Sequence, residues 1–319
     1  MVVYDQPEAI APALRARFPR LSISVVGNLD VLPARLAAEE PDVVLVYKTS
    51  TFAGPNHHAT VTCPSVRWVH VGGSGYEHLL PWDPARVTVT NSVGVLAPFL
   101  AETVMAAIAS LNAGLFAYRD MQPTRAWRSA DFRPLRDQTL LVVGVGAIGG
   151  RVADLAKAFS MRVLGVRSSA APHPSVDAMH DLAALPDLLP KADVVSLHVR
   201  LGPATRHLID GPALAAMKAD AMLINTSRGA VIDETALAAA LAAGRLRAAY
   251  LDVFETEPLP PTSPLWSCPR VLITPHCSDQ VIGWATRFAD LFADNLERWM
   301  AGQPLRNVVV PPSERLGVG

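Results

Sequence analysis

The chain has 319 residues, enough for two domains that each bury an ordinary core. Half of the residues are hydrophobic and 18% are charged, which excludes disorder as the overall state. The formal net charge is −1 with the two signs interspersed, so neither a nucleic acid nor a membrane surface is an expected partner.

From residue 1 to about 97, short β-rich runs alternate with helical or loop stretches. The strand candidates are "VVY" at 2–4, "SISVV" at 22–26, "DVVLVY" at 42–47, "RWVHV" at 67–71 and "VTVTN" at 87–91. Such alternation predicts a parallel sheet covered by helices. The loop "VGGSG" opens at the carboxyl end of the fourth run. An apolar helix follows near 98–118. Its core, "TVMAAIASLNAGLFAY", is 16 residues and interrupted by Ser110, Asn112 and Gly114. That is short of the ~20 residues that span a bilayer, so a site buried between domains or subunits is expected.

A polar connection leads into a second α/β unit. Its strands are "TLLVVG" at 139–144, "RVLGV" at 162–166, "DVVSLH" at 193–198, "AMLINT" at 221–226, "AAYLDVF" at 248–254 and "RVLITP" at 270–275. Helical segments lie between them, among them "DETALAAALAAG", with Asp233 as N-cap and Gly244 as stop. This predicts a doubly wound sheet. The tail carries an amphipathic helix and a short β-run that can cross back onto the first domain. The expected division is 1–97 with 285–319, and 98–284.

In "LLVVGVGAIGGRVADLAKAF", Gly144-x-Gly146-x-x-Gly149 falls directly after a strand and before a helix. Gly144 permits the tight turn, Gly146 lets backbone approach a pyrophosphate, and Gly149 allows close helix–strand packing. The helix start at Ala147 and Ile148 offers free N–H groups to the phosphates. This predicts a dinucleotide. The second strand ends at Arg167-Ser168, where an acidic residue would bond the ribose hydroxyls of NAD. A guanidinium and a hydroxyl instead suit a 2′-phosphate, so NADP(H) is expected over NAD(H). A solvated arginine is the alternative. Arg200 is a weaker candidate for the same pocket, and His198 for the adenine-side wall.

Three successive strands of this unit end in chemistry. "INTSRGAVID" delivers Arg228, "LDVFETEP" delivers Asp252, Glu255 and Glu257, and "VLITPHCSDQV" delivers His276. In a doubly wound sheet these loops share one edge. Hydride addition to a 2-oxo acid builds negative charge on its carbonyl oxygen, which needs a proton and a nearby cation. A carboxylate beside an imidazole favours the proton-donating form. Glu257 is thus expected to hold His276, His276 to deliver the proton, and Arg228 to pin the substrate carboxylate and polarise the carbonyl. Thr226, Ser227 and Ser278 in these loops, and Thr205 beyond the strand "DVVSLH", are candidate cofactor contacts. A non-enzymatic protein that senses NAD(P)(H) on this fold is the competing reading.

Over nearly its whole length the chain resembles the NAD(P)-dependent D-isomer-specific 2-hydroxyacid dehydrogenases, in particular the glyoxylate/hydroxypyruvate reductase-like members. The resemblance rests on "GVGAIGGRVADLAKAF", "LINTSRGAVIDETALAAAL", "LDVFETEPLP" and "TPH", in family order. It implies two doubly wound parallel-sheet domains, a Rossmann cofactor domain and a discontinuous, flavodoxin-like substrate domain. It also implies Arg228, Glu257 and His276 as the catalytic trio and Asp252 as a contact to the nicotinamide carboxamide. Backbone N–H groups near Ser74 and Gly75 would bind the substrate carboxylate, and the long helix would dimerise. The expected substrate is a short 2-oxo acid, reduced to the D-2-hydroxy acid by a homodimer.

Several positions depart from the family pattern. Cys277-Ser278-Asp279-Gln280 replaces a glycine-containing turn, Arg200 stands where proline is commoner, and Asn112 where an arginine often ends the helix. Glu257 replaces the glutamine of the formate dehydrogenases, and "VGGSG" lacks the lysine of a phosphite oxidiser.

The remaining candidates carry less. Cys63, Cys268 and Cys277 match neither a metal-ligand spacing nor a disulfide framework, so no metal and a reducing, cytoplasmic setting are expected. The first residues lack the basic and apolar regions of a secretory signal. Lys48 reads as an exposed lysine or a second substrate cation, and His70 and His78 as structural or pocket-shaping. Cys277 reads as packing, and Trp127, Trp266 and Trp284 as core or interface.

Overall fold

The computed structural model describes residues 1–49, 52–168, 171–268 and 270–311. It divides into two units, one of residues 1–95 joined by the chain from 282 onward, the other of Leu96–Val281.

The first unit begins with β1 (Val2–Val3), α1 (Ala11–Arg17), β2 (Val25–Val26), α2 (Leu32–Glu39), β3 (Val43–Tyr47), α3 (Ala59–Thr62), β4 (Trp68–Gly72) and β5 (Thr88–Asn91). These strands pair in parallel in the order β2-β1-β3-β4-β5, the flavodoxin-like order. β3 shows why its run reads as continuous hydrophobics: Val44, Leu45, Val46 and Tyr47 are all fully buried.

The second unit opens with α4 (Ala97–Asn112) and α5 (Leu115–Met121). The single helix expected over 98–118 is therefore two, bent by 58° at Gly114, whose φ of +68° is left-handed. Ala101, Val104, Met105 and Ile108 of α4 belong to a core with Leu140, Val142 and Val152 of the same unit, so this face is buried inside the domain. Asn112, at the arginine position of the family pattern, is buried and accepts from Gln138 Nε2 at 2.7 Å. Among the described residues no single helix is long and apolar enough to cross a membrane.

Then come β6 (Thr139–Val143), α6 (Ala147–Ala158), β7 (Arg162–Val166), β8 (Ala178–His180), α7 (Leu185–Leu188), β9 (Val194–Leu197), α8 (Gly211–Ala216), β10 (Met222–Asn225), α9 (Glu234–Ala242), β11 (Ala248–Leu251) and β12 (Val271–Ile273). All seven strands are parallel, in the order β12-β11-β10-β9-β6-β7-β8. Counted within the unit this is the Rossmann order with a seventh strand added at the β11 edge, and its switch point falls between β6 and β9. β8 escapes the sequence reading because it is three residues long and pairs only with β7. Asp233 caps α9 by accepting from Ala236 N, and Gly244 ends it at φ +69°.

The tail returns to the first unit as α10 (Trp284–Met300) and β13 (Val308–Val309). β13 pairs antiparallel with β5. Phe288, Phe292 and Leu296 form the buried stripe of α10, and the Phe292 ring stacks on Trp68 at 5.2 Å. Trp284 packs edge-on to Tyr47 at 5.8 Å, whereas Trp127 is 100% exposed, which rules out a core role for it within this chain. Trp266 is also mostly exposed, with its indole N–H donating to Pro260 O.

Candidate active site

Because the seven strands of the second unit run parallel, their carboxyl ends share one edge. Along that edge, in sheet order, lie His276 after β12, Asp252 after β11, Arg228 after β10, His198 after β9, Gly144 after β6 and Arg167 after β7. The row expected from the sequence is thus assembled, and it straddles the switch point.

The glycine loop has the form a dinucleotide needs. Gly144 sits at φ +101°, and a Cβ on it would lie 2.6 Å from the His198 carbonyl carbon. A Cβ on Gly149 would lie 2.2 Å from Gly144 O, so this glycine lets α6 close on β6. Gly146 faces open space, with nothing within 4 Å of a Cβ there. Ala147 and Ile148, at the start of α6, give their N–H groups to no acceptor among the described residues. Backbone donors around an open glycine are the cradle of a pyrophosphate.

Arg167 is half-buried and its Nη1 is 3.5 Å from Val145 O, while Ser168 beside it is exposed. His198 Nε2 bonds Ser196 Oγ at 2.8 Å, its Nδ1 is buried without a partner, and burial pushes its pKa down to about 4. It is therefore neutral at pH 7. Thr205 closes its own loop by donating to Arg200 O and accepting from Gly202 N. Thr226 Oγ1 is buried without a partner, and Ser227 donates to Asn225 Oδ1 through both N and Oγ. Asn225 also donates to Arg228 O at 3.1 Å, so it shapes the loop that presents Arg228. The sequence reading missed Asn225, whose only signal is a buried amide at a strand's carboxyl end.

Glu257 and His276 meet. His276 Nδ1 lies 2.7 Å from Glu257 Oε2, and Glu257 Oε1 accepts the Phe254 N–H at 2.9 Å. A carboxylate at Nδ1 accepts from an N–H there, which leaves Nε2 as the ring atom turned away from Glu257. His276 itself adopts a left-handed φ of +50°, with its N–H donating to Asp252 O at 2.8 Å. Such a conformation costs a non-glycine residue about 1–3 kcal/mol and persists only where its surroundings impose it.

Asp252 is the imposing group. It is fully buried, and its Oδ1 accepts from Thr274 Oγ1 at 2.5 Å and Cys277 N at 2.9 Å. Its Oδ2 accepts from Ser278 N at 3.2 Å and Ser278 Oγ at 2.5 Å. About four lone-pair positions are available on a carboxylate, and protein donors fill them all. Asp252 and Ser278, both expected at the cofactor, bond each other and fasten the histidine loop. Cys277 is partly buried, and its thiol is pushed up by burial and by the charges of Asp252 and Asp279, which suits packing.

In the first unit the loop after β4 holds Ser74 and Gly75. Their N–H groups donate to no acceptor among the described residues, while Asn91 Nδ2 steadies the loop through Ser74 O at 2.8 Å. Gly72 is required beneath it, since a Cβ would lie 2.5 Å from the Tyr47 ring. His70 is buried between Thr90 Oγ1 and Ser92 Oγ, and burial pushes its pKa down to about 3, a structural role. Burial, with His57 and Lys48 nearby, pushes His78 down to about 4, and Lys48 is exposed. Among the described residues no cluster of His, Cys, Asp and Glu could hold a metal ion.

A glycine cradle at a Rossmann switch point, beside a histidine–carboxylate pair and an arginine, describes a nicotinamide-dependent oxidoreductase. Comparison with known proteins narrows the class. Residues 105–278 match the family model for the NAD-binding domain of D-isomer-specific 2-hydroxyacid dehydrogenases. A glyoxylate reductase of Aeropyrum pernix is 37% identical over 232 residues, covering 70% of this chain and 69% of that protein. One from Korarchaeum cryptofilum is 34% identical over 256 residues, covering 77% and 76%. The structure of a D-isomer-specific 2-hydroxyacid dehydrogenase family protein from Aeromonas salmonicida superposes with a TM-score of 0.84 at 31% identity, covering 97% of this chain and 98% of that one. The chain belongs to the D-isomer-specific 2-hydroxyacid dehydrogenase family. It is an NAD(P)-dependent enzyme of small 2-oxo and 2-hydroxy acids, which sets the non-enzymatic sensor reading aside.

Proposed function

We propose that this enzyme reduces a short 2-oxo acid, glyoxylate or hydroxypyruvate in chemistry, to the D-2-hydroxy acid, with NADPH preferred to NADH. The observation that carries the reading is the 2.7 Å pair of His276 Nδ1 and Glu257 Oε2, one strand beyond Asp252 and two from Arg228. When bound, the dinucleotide supplies a hydride to the carbonyl carbon of the 2-oxo acid. His276 gives a proton from Nε2 to the carbonyl oxygen as negative charge develops on it. Glu257 keeps the ring oriented through Nδ1. Arg228 pairs with the substrate carboxylate and polarises the carbonyl. In the first unit, Ser74 and Gly75 offer backbone N–H donors of the kind a carboxylate accepts.

Arg167 and Ser168 at the end of β7 support the NADPH preference. A structure of a family member from Xanthobacter autotrophicus in complex with NADPH and MES, 29% identical with a TM-score of 0.80 over 98% of this chain, supports it further. Leu115, Trp127, Phe132 and Phe159 are exposed, and the last two line a cavity of about 420 Å³ beside the end of α4. Apolar exposure on this scale supports a homodimer through this region, which light scattering on the purified chain checks. The free thiols of Cys63, Cys268 and Cys277 suit a cytoplasmic enzyme.

The test is absorbance at the reduced-nicotinamide band with glyoxylate or hydroxypyruvate and each cofactor in turn. Faster oxidation of NADPH is expected. Faster oxidation of NADH would overturn the cofactor preference, and no oxidation of either would overturn the substrate class.

A further inference from the structure

We infer that Glu234 is a positioning residue for the reaction, acting on Glu257 through Glu255; this rests on the roles proposed above for Glu257 and His276. Glu234 is the first residue of α9, and Glu255 lies in the loop after β11. Each side chain caps the other's backbone. Glu234 N donates to Glu255 Oε1 at 3.2 Å, and Glu255 N donates to Glu234 Oε1. The reciprocal bonds satisfy one orphan donor of the helix start and one of the loop.

The loop so fastened is the one that carries the general-acid pair. Two residues beyond Glu255, Glu257 receives the Phe254 N–H on one oxygen and His276 on the other. Below this, a Cβ on Gly229 would lie 1.8 Å from Phe254 C and 2.3 Å from Glu255 N, so the backbone next to Arg228 touches the backbone next to Glu257. A third loop joins the same point: His207 Nε2 is 3.2 Å from Glu255 Oε1, and His207 N donates to Ala230 O at 2.8 Å. The separation of Arg228 from the His276–Glu257 pair is therefore set by a seam in which Glu234 and Glu255 are the side-chain fasteners. Slackening it leaves each catalytic group present but misplaced, and reaction rates are sensitive to misplacement of about 1 Å.

Burial, together with the charges of Glu255 and Glu257, pushes the Glu234 carboxyl above the usual carboxylate range. The Glu255 N–H needs only an acceptor oxygen on residue 234, so an uncharged amide that keeps that oxygen should serve nearly as well. This separates the inference from the bland alternative, a carboxylate that merely steadies the positive end of α9. In that case Glu234→Asp would preserve the function, and Glu234→Gln would lose it.

The experiment measures kcat and both KM values with glyoxylate and the preferred cofactor, plus the unfolding midpoint, for the full chain. The variants are Glu234→Ala, Glu234→Gln, Glu234→Asp, Glu257→Gln, His276→Ala and the double variant Glu234→Ala/Glu257→Gln. Glu234→Ala should lower kcat about tenfold with the cofactor KM unchanged, and should add less than about twofold once Glu257 is already Gln, because groups in one network are not additive. Glu234→Gln should restore kcat. Glu234→Asp, one methylene short of the Glu255 N–H but still acidic at the helix start, should lose kcat while its midpoint stays put. This last variant keeps the question open to measurement if the alanine variant fails to fold. Independent, multiplying losses from Glu234→Ala and Glu257→Gln, or an unchanged kcat, would overturn the inference with the catalytic reading intact. An active His276→Ala enzyme would overturn both.

Discussion

Glu257 divides its carboxylate between His276 and the backbone of its own loop, with Oε2 at 2.7 Å from His276 Nδ1 and Oε1 at 2.9 Å from Phe254 N. The second bond ties the carboxylate to its own loop independently of the imidazole, so the ring takes its orientation from the β11 loop. His276→Ala should therefore lose about 10²–10⁴-fold in kcat, the usual worth of a positioned acid. Glu257→Gln should lose less, since the amide oxygen still serves one of the two donors. Steady-state rates under saturating cofactor check both. An alanine variant within a few-fold of wild type would mean that another group delivers the proton.

The three glycines of the cofactor loop should separate stability from binding. Gly146→Ala places a methyl in open space, so the apo protein should unfold at its normal temperature while cofactor affinity falls at least about tenfold, because the methyl occupies the pyrophosphate approach. Gly149→Ala pushes a methyl to 2.2 Å from Gly144 O and should destabilise the fold itself. Fluorescence titration with NADPH and a thermal melt distinguish the two. A Gly146→Ala protein that binds cofactor normally would contradict the placement of the phosphates.

Much of this site is legible in the sequence because its information is local. A strand followed at once by Gly144-x-Gly146-x-x-Gly149, and three later strands ending in Arg228, Glu257 and His276, need only the alternation of elements to be placed on one edge. What the sequence hides is set by distant partners. The Asp252 carboxylate belongs to residues 22 to 26 positions away, so its spacing does not reveal that it holds the histidine loop. Glu234 and Glu255, 21 residues apart, look like two solvated acids until their loops are juxtaposed. β8 depends on β7 for its existence, and the bend at Gly114 depends on that one left-handed residue in an otherwise helical run.

Arg167 should decide between the two cofactors. It is half-buried at the carboxyl end of β7, where a carboxylate would repel a 2′-phosphate. Arg167→Asp should raise KM for NADPH by about 10-fold or more, on the scale of losing a charge-assisted contact, and leave NADH nearly unchanged. Parallel titrations of both cofactors check this, and equal small effects on the two would remove Arg167 from the 2′-phosphate site.

Acid should loosen the fold before carboxylates protonate. Burial pushes His70 down to about 3 and His198 to about 4, from an ordinary 6.5. Each is then neutral in the folded protein at a pH where the unfolded chain is already charged. The unfolded state binds more protons from about 6.5 down to about 4 for His198 and about 3 for His70, so stability is full above 6.5 and declines as pH falls through that window. Urea unfolding at pH 7.5, 6.5, 5.5 and 4.5 should show the decline, and His198→Gln should make it shallower. A curve flat down to pH 4.5 would mean that these imidazoles are hydrated in the folded state.

Asp252 offers the strictest test of how the histidine loop is built. Replacing it by Ala strands Cys277 N and both donors of Ser278, and leaves Thr274 Oγ1 with Tyr250 OH alone, with the residue itself fully buried. Each stranded buried donor costs about 1–3 kcal/mol, so Asp252→Ala should lower the unfolding midpoint sharply and release His276 from its left-handed backbone. Asp252→Asn retains one acceptor oxygen and should fold, yet its amide would face donors on the other side and lose kcat. Ser278→Ala removes one donor without stranding another, because Asp252 keeps three; stability should change by less than about 1.5 kcal/mol and activity should persist. If Asp252→Asn instead leaves kcat intact and weakens only nicotinamide binding, the carboxylate serves the cofactor and the loop stands without it.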